Sequence, residues 1–424
     1  MAEAKALNFL VTRVKLGLLF YKVKDHRSIS GQHRTELVDL LAVHRISALN
    51  VVSRATVLDA LQMMKMTANT RCEFWVRNLI INTKKDELSE LKTLTDAKGD
   101  YFSMHKLVFD DIRSEAVRED ILNHLEKEAK WSWAQMSMNT KRSKKRMERP
   151  WRKILSDVDD TMLSSGGSYP AGIDRRFGKK VLYPGCLGFY RELDLGPKGP
   201  DEWPEGSVGN LVFLSARPHM YKDVSEKQNY AKFAKLRERG MHTNPSLLAG
   251  DMKSGSEYMM NNDMEPLAVK KFQNFKEYQS IYPEFKHVFV GDNGQGDVRG
   301  GELMHVEFGD SLEMLYIHEV QARERTHGYD RERYRKIGLN KKVYFFRTYV
   351  DAALDAATRG MIKLCGLRRI CLDAKKDFHD IGKKQWPSKQ SMIDRRNELN
   401  QDIYRANEYL MEVRLDENRS DIKA

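Results

Sequence analysis

Asp157 and Asp159 stand one residue apart at the end of a short apolar run, Ile154-Leu155-Ser156, and Thr161 follows two residues beyond the second carboxylate. In extended backbone, residues i and i+2 point the same way, so both carboxylates share one cleft. Two acids this close repel. They suit a division of labour in which one ligates a metal ion or attacks a substrate while the other holds a proton. An apolar run that stops at carboxylates reads as a buried parallel strand whose carboxyl end opens on a binding crevice. A polar turn that caps a helix has the same local composition, so the case rests on what else the chain places at strand ends.

Three further signals follow in order. Leu211-Val212-Phe213-Leu214 is a second apolar strand and ends at Ser215. Lys270 and Lys271 lie near the start of a helix expected over Leu267 to Tyr278. His287-Val288-Phe289-Val290-Gly291 is a third strand and runs into Asp292-Asn293-Gly294-Gln295-Gly296-Asp297. Strands alternating with helices predict an α/β fold, a doubly wound parallel sheet, with Leu315 to His318 and Val343 to Phe346 as added strands. Taken singly, a hydroxyl after a strand is commonly structural, lysines are commonly solvated, and carboxylates among glycines commonly form turns. In this order, all at strand or helix ends, they specify a site.

The set resembles the haloacid-dehalogenase-like phosphatases. Asp157-Val158-Asp159-Asp160-Thr161 is similar to their Asp-x-Asp-x-Thr motif, Ser215 to the second motif, Lys270 or Lys271 to the third, and Asp292 with Asp297 to the fourth. Only Asp157 as first carboxylate puts threonine in the fifth position, which leaves Asp160 outside the motif. The segments Ser156 to Thr161, Phe213-Leu214-Ser215-Ala216-Arg217-Pro218, Tyr282-Pro283-Glu284-Phe285-Lys286 and Phe289 to Asp297 narrow the resemblance to the actin-patch class of phosphatidate phosphatases, over roughly Trp151 to Glu307. The resemblance implies a Mg²⁺-dependent enzyme that converts phosphatidate to diacylglycerol. It implies Asp157 as nucleophile and Asp159 as general acid and base. Ser215 and Lys271 then hold the phosphate and Thr161 braces the loop at the substrate. The metal site is made by Asp157, Asp159 through its carbonyl, Asp292 and Asp297. Lys271 is preferred to Lys270 because Lys271-Phe272 matches the family's Lys-Phe pattern. Two other readings fit the same residues: a phosphatase of this superfamily acting on another phosphomonoester, such as a phosphoprotein or a nucleic-acid end, and a catalytically silent lipid-binding module.

The elements that position these residues occupy the middle of a 424-residue chain. That length predicts two or three domains. We expect a mostly helical region with a basic linker over 1–150, the catalytic domain over 151–350, and a helical region over 351–424. Lys and Arg number 72 against 60 Asp and Glu, for a net charge of +12. The excess favours anionic partners such as phosphate-bearing substrates or an acidic membrane surface contacted reversibly, with nucleic acid less favoured given the phosphatase motifs. The four cysteines are scattered, with no Cys-x-x-Cys pair, which fits a reducing compartment and argues against a disulfide framework or structural zinc. No run approaches the ~20 apolar residues of a membrane span. The expected setting is cytoplasmic with peripheral membrane contact.

Within the first region, helices are expected over Thr35 to Val43, Val57 to Met66 and Arg113 to Lys130, with a turn at Asp96 to Asp100. Leu7 to Val23 reads as one amphipathic helix with Leu7, Leu10, Val11, Val14, Leu18 and Tyr21 inward, a core helix in preference to a membrane-lying one. His105 has no partner nameable from sequence and reads as an exposed polar residue. Thr140 to Arg149 is a basic run that reads as a solvated linker ending at Pro150. Further on, helices are expected over Ser225 to Arg239, Asp351 to Leu364 and Lys389 to Val413. The short stretch from Met162 to Asn210 leaves little room for a large lid, which predicts an open site.

Overall fold

The computed structural model describes residues 2–23, 33–64, 70–96, 102–142, 151–168, 172–196, 209–218, 234–250 and 263–421. The chain divides into two compact units, one of residues 1–146 with 277–284, the other of residues 147–276 with 285–424.

The first unit is helical among its described residues. Its helices are α1 (Ala2–Arg13), α2 (Leu16–Lys22), α3 (His33–Asp39), α4 (Val51–Met63), α5 (Thr70–Ile81), α6 (Lys85–Asp96) and α7 (Glu115–Arg142). Helix α4 starts earlier than its apolar spacing suggests, because the Asn50 side chain accepts a hydrogen bond from the Ser53 amide and caps it. Val57, Leu58, Leu61, Trp75, Leu79 and Leu91 are fully buried.

The single N-terminal helix expected from Leu7 to Val23 is two helices. The chain bends at Val14-Lys15, where Lys15 leaves helical geometry with ψ 76°. The break resets the helical phase. The buried residues are Val11, Leu16 and Phe20, while Leu10, Val14, Leu18 and Tyr21, expected inward, are exposed. His105 also departs from expectation. It is mostly buried, and its Nε2 lies 2.7 Å from a carboxylate oxygen of Glu277, a partner 172 residues away in sequence. Most of the basic run 140–149 and of the turn at 96–100 lies outside the described residues.

The second unit is built on a parallel sheet of six strands: β1 (Arg152–Ser156), β2 (Leu211–Pro218), β3 (Ser246–Gly250), β4 (Lys286–Asp292), β5 (Leu312–His318) and β6 (Val343–Phe346). Their order is β3-β2-β1-β4-β5-β6, and every pairing is parallel. The α/β, doubly wound sheet read from the sequence is therefore present. All of β1 is buried, as a central strand covered on both faces must be. The chain runs outward from β1 through β2 to β3, then returns to pair β4 on the other side of β1. That reversal opens a crevice at the carboxyl ends of β1 and β4, where sheets of this order take their ligands.

Between strands lie α8 (Cys186–Leu195), α9 (Glu265–Ile281), α10 (Asp297–Phe308) and α11 (Arg331–Lys336), and after β6 come α12 (Tyr349–Thr358), α13 (Leu364–Asp380) and α14 (Lys389–Asp421). The helix expected over Asp351 to Leu364 is thus split, since Gly360 adopts a φ of +70° beyond the end of α12. The Ser225 to Arg239 helix falls largely outside the described residues. One apolar core joins the sheet residues Ile154, Val288 and Tyr316 to Ala353, Leu367, Phe378, Leu399 and Ile403 of the C-terminal helices.

Candidate active site

Asp157 directly follows β1, and its amide donates to the Val290 carbonyl of β4 at 2.9 Å. Asp292 is the last residue of β4, and Asp297 opens α10. The sheet order thus brings three acids, far apart in sequence, to the same crevice. One carboxylate oxygen from each lies within 4.8 Å of the other two, and all three residues are buried. Gly291 permits this approach: a Cβ there would stand 2.6 Å from the Asp297 Oδ2. The same oxygen accepts from the Asp292 amide at 3.1 Å.

Lys271, one turn and a half into α9, carries its ammonium into the cluster. Its Nζ donates to Asp157 Oδ1 at 2.8 Å and to Asp297 Oδ1. Lys270, its neighbour, is only partly buried, and the helical turn of roughly 100° per residue carries it to a different face. The loop after β4 is held from inside: Asp292 Oδ1 accepts from the amides of Gly294 at 2.6 Å and Gln295 at 3.1 Å.

Charge is in surplus here. Burial pushes the Asp157 carboxyl up to about 8; Lys271 works against the shift, while Asp297 and Asp159 add to it. Burial, reinforced by repulsion from Asp297 and Asp157, also raises the Asp292 carboxyl well above the carboxylate range. Burial opposes the charged form of Lys271, but Asp157, Asp297 and Asp292 outweigh it and hold the ammonium protonated beyond its ordinary range. Asp157 Oδ2 and Asp292 Oδ2 are buried with no hydrogen-bond partner. A hard divalent cation fits this arrangement. It takes carboxylate oxygens as ligands, and it would both occupy the two orphaned acceptors and relieve the repulsion.

Asp159 stands outside the group of three and is only partly buried, close enough to Asp157 to raise its proton affinity. Thr161 is fully buried; its Oγ1 lacks a partner, and its carbonyl accepts from the Tyr349 hydroxyl at 2.7 Å. Ser215 lies in β2, beside β1, and its side chain is outside the described residues.

Several residues that position this loop were not read from the sequence. Asp160 sits at φ +58°, a left-handed conformation that residues with a Cβ seldom adopt. Its buried carboxylate accepts from the Ser165 amide at 2.8 Å and Ser165 Oγ at 2.9 Å, and from the amides of Ile173 at 2.8 Å and Asp174 at 3.1 Å. It thereby pins the following loop back onto the motif. Ile173 of that loop lies against Gly294 beside Asp292, where a glycine Cβ would come within 3.0 Å of both. The Asp160 carbonyl lies 2.7 Å from His318 Nδ1, at the end of β5. The hydroxyl of Tyr190 on α8 lies 2.6 Å from Ser156 Oγ, which donates to the Asp157 carbonyl at 2.6 Å. Position in a turn that favours glycine was the available signal for Asp160; the partners of Tyr190, His318 and Tyr349 are set by tertiary packing alone.

The arrangement offers a buried carboxylate with a free oxygen, a second acid two residues away, a cation-binding acid cluster and a fixed ammonium. These parts suit attack on a phosphorus centre whose surplus negative charge must be balanced. No curated protein and no solved structure matches the chain. Residues 152–319 match the family model of the catalytic domain of phosphatidate phosphatase APP1, so the resemblance carried by the four motifs holds over that stretch.

Proposed function

We propose that this protein is a Mg²⁺-dependent phosphatidate phosphatase that releases diacylglycerol and phosphate through an aspartyl-phosphate on Asp157. The observation that carries the reading is the pair of orphaned, buried oxygens, Asp157 Oδ2 and Asp292 Oδ2, at the mouths of β1 and β4.

Asp157, Asp292, the Asp159 carbonyl and, as a ligand or ligand-orienting group, Asp297 would hold Mg²⁺. When bound, the ion supplies positive charge to the cluster and to the phosphate oxygens. Asp157 attacks phosphorus and forms an acyl phosphate as the ester P–O bond breaks. The electron pair leaves with the diacylglycerol oxygen, which takes its proton from Asp159. Asp159 then accepts a proton from water as that water attacks phosphorus, which frees phosphate and restores the Asp157 carboxylate. Lys271 offsets the negative charge that builds up on the transferred group, and Ser215 donates a hydrogen bond to one of its oxygens. Thr161 braces the loop. We assign the chemistry to residues 151–350, with 1–150 and 351–424 as flanking helical regions, and place the protein in the cytoplasm with reversible contact at acidic membranes.

The test is phosphate release from phosphatidate in mixed micelles, with and without Mg²⁺, beside Asp157→Asn and Asp159→Asn. An aryl phosphate and a phosphopeptide serve as rival substrates. Metal-dependent turnover of phosphatidate that both substitutions abolish is the expected result. Turnover of a rival with none of the lipid would reassign the substrate. Silence on all three from a folded, Mg²⁺-binding protein would sink the enzymatic reading.

A further inference from the structure

The bend at Val14-Lys15 leaves large apolar side chains outside the core of the first unit. Phe9, Leu10, Val14, Leu18 and Tyr21 are 61%, 57%, 41%, 46% and 67% exposed. Single exposed apolar residues are ordinary, but five within one short stretch are not. Met63 of α4, also exposed, reaches the same neighbourhood: Gly17 of α2 is so close that a Cβ there would stand 2.5 Å from the Met63 sulfur.

Lys5, Arg13, Lys15 and Lys22 are exposed among these residues. The Arg13 guanidinium lies over the Phe9 ring, 5.3 Å from its centroid. The stretch Met1 to Val23 contains one acidic residue, Glu3, and its carboxylate is engaged by Arg45 at 2.9 Å. The stretch is therefore apolar and cationic at once, and its one acid is paired with Arg45.

We infer that α1 and α2 form a docking surface for an anionic lipid bilayer. Apolar side chains enter the boundary between headgroups and acyl chains, and the flanking Lys and Arg meet acidic headgroups. A second copy of this chain is a poorer occupant, since it would set Arg13, Lys15 and Lys22 against their own like charges. The inference extends the phosphatidate reading to how the protein reaches a lipid, but its test needs no phosphatidate.

Full-length protein is sedimented with vesicles of phosphatidylcholine alone and of phosphatidylcholine with phosphatidylserine. Binding is expected on the acidic vesicles, weakened by salt, and reduced about tenfold or more in Phe9→Glu/Leu18→Glu, since both positions are exposed and each change costs apolar insertion. If that variant loses its fold, Lys15→Gln/Lys22→Gln carries the test, with a smaller drop confined to acidic vesicles. Phe9→Trp is expected to shift its fluorescence to the blue on those vesicles. Absence of wild-type binding, or binding undiminished in folded variants, overturns the inference. So does a concentration-dependent dimer that the Glu variant abolishes, which would assign the face to a second copy. Hydrolysis of a short-chain, soluble phosphatidate is measured alongside: vesicle binding without that activity sinks the proposed reaction and leaves the surface standing.

Discussion

Lys92 in the helical unit and Lys271 in the sheet unit are both buried, 1% and 2% exposed, and both donate to carboxylates. Around Lys92 every visible demand is met. Its ammonium donates to the Ile281 carbonyl at 2.8 Å and to Glu284, whose Oε1 also accepts from the Ser89 hydroxyl at 2.7 Å. The adjacent Asp96 accepts from the hydroxyl of Tyr282 at 2.6 Å and from the Met104 amide at 2.7 Å. Burial dominates there and lowers the lysine's proton affinity, with Glu284 as the main opposing influence. Lys271 instead faces three acids, its proton affinity is raised, and two acid oxygens near it remain unpartnered. A buried ion pair that closes on itself is a structural brace. One that leaves acceptors over is arranged around something it does not contain.

That contrast can be broken or sharpened by substitution. The largest effect is expected in the sheet unit. On the proposed mechanism, Asp157→Asn should lower phosphate release by ~10⁴-fold or more, because it removes the proposed nucleophile. It should leave the melting temperature unchanged or raise it, because it removes one charge from a surplus. A large loss of stability would mean that the acid cluster braces the fold as the Lys92 network does. In the helical unit the pattern is reversed. Lys92→Met strands the Glu284 carboxylate in the interior and should cost ~3–5 kcal/mol in urea unfolding. The paired Lys92→Met/Glu284→Leu change should recover part of that loss. A neutral Lys92→Met would end the comparison.

A smaller effect comes from His318. Burial, and then the Arg176 guanidinium, lower its imidazole from 6.5 to about 4. The ring is neutral in the folded protein where the unfolded chain would already be charged. The unfolded state binds more protons between those values, so stability falls as pH drops from 6.5 towards 4. The contribution is on the order of 3 kcal/mol, readable as a flatter pH dependence of melting in His318→Gln. The smallest effect is expected for Asp160→Gly. It relieves the left-handed backbone but loses the four hydrogen bonds to the loop from Ser165 to Asp174, for a net loss of ~2 kcal/mol in thermal unfolding. An increase in stability would show that the loop is held by other contacts.

The sheet and the carboxylates were legible in the sequence because strand, turn and acid follow one another locally, and the parallel order brings strand ends together without further information. The choice between Lys270 and Lys271 needed the rotation of α9, which the Lys-Phe resemblance suggested and spacing could not. Helix α8 was missed although Cys186, Phe189, Tyr190 and Leu193 recur at helical spacing, because turn-forming residues crowd its ten residues on both sides, Pro184-Gly185 before and Gly196-Pro197 after. Strand β3 was missed as a five-residue segment without alternation. Leu18 and Tyr21 were misassigned because one residue of non-helical backbone at Lys15 shifts the phase of everything after it, whereas Leu10 and Val14 precede the break. His105 and Asp160 were underread for a shared reason: their partners are distant or are backbone amides, and neither leaves a side-chain pattern in the sequence.

The hydroxyl of Tyr349 holds the Thr161 carbonyl from 188 residues further along the chain. During synthesis, therefore, the first motif leaves the ribosome long before one of the residues that hold its loop. Once Asp297 has emerged, the growing chain holds all of the acids of the site but still lacks the Tyr349 hydroxyl that completes the loop. A polypeptide cut shortly after residue 319 would hold every matched motif yet lack Tyr349, β6 and the helices that complete the core. The matched segment is shorter than the segment that must fold, and the proposed activity is expected to arise only once the C-terminal helices have docked.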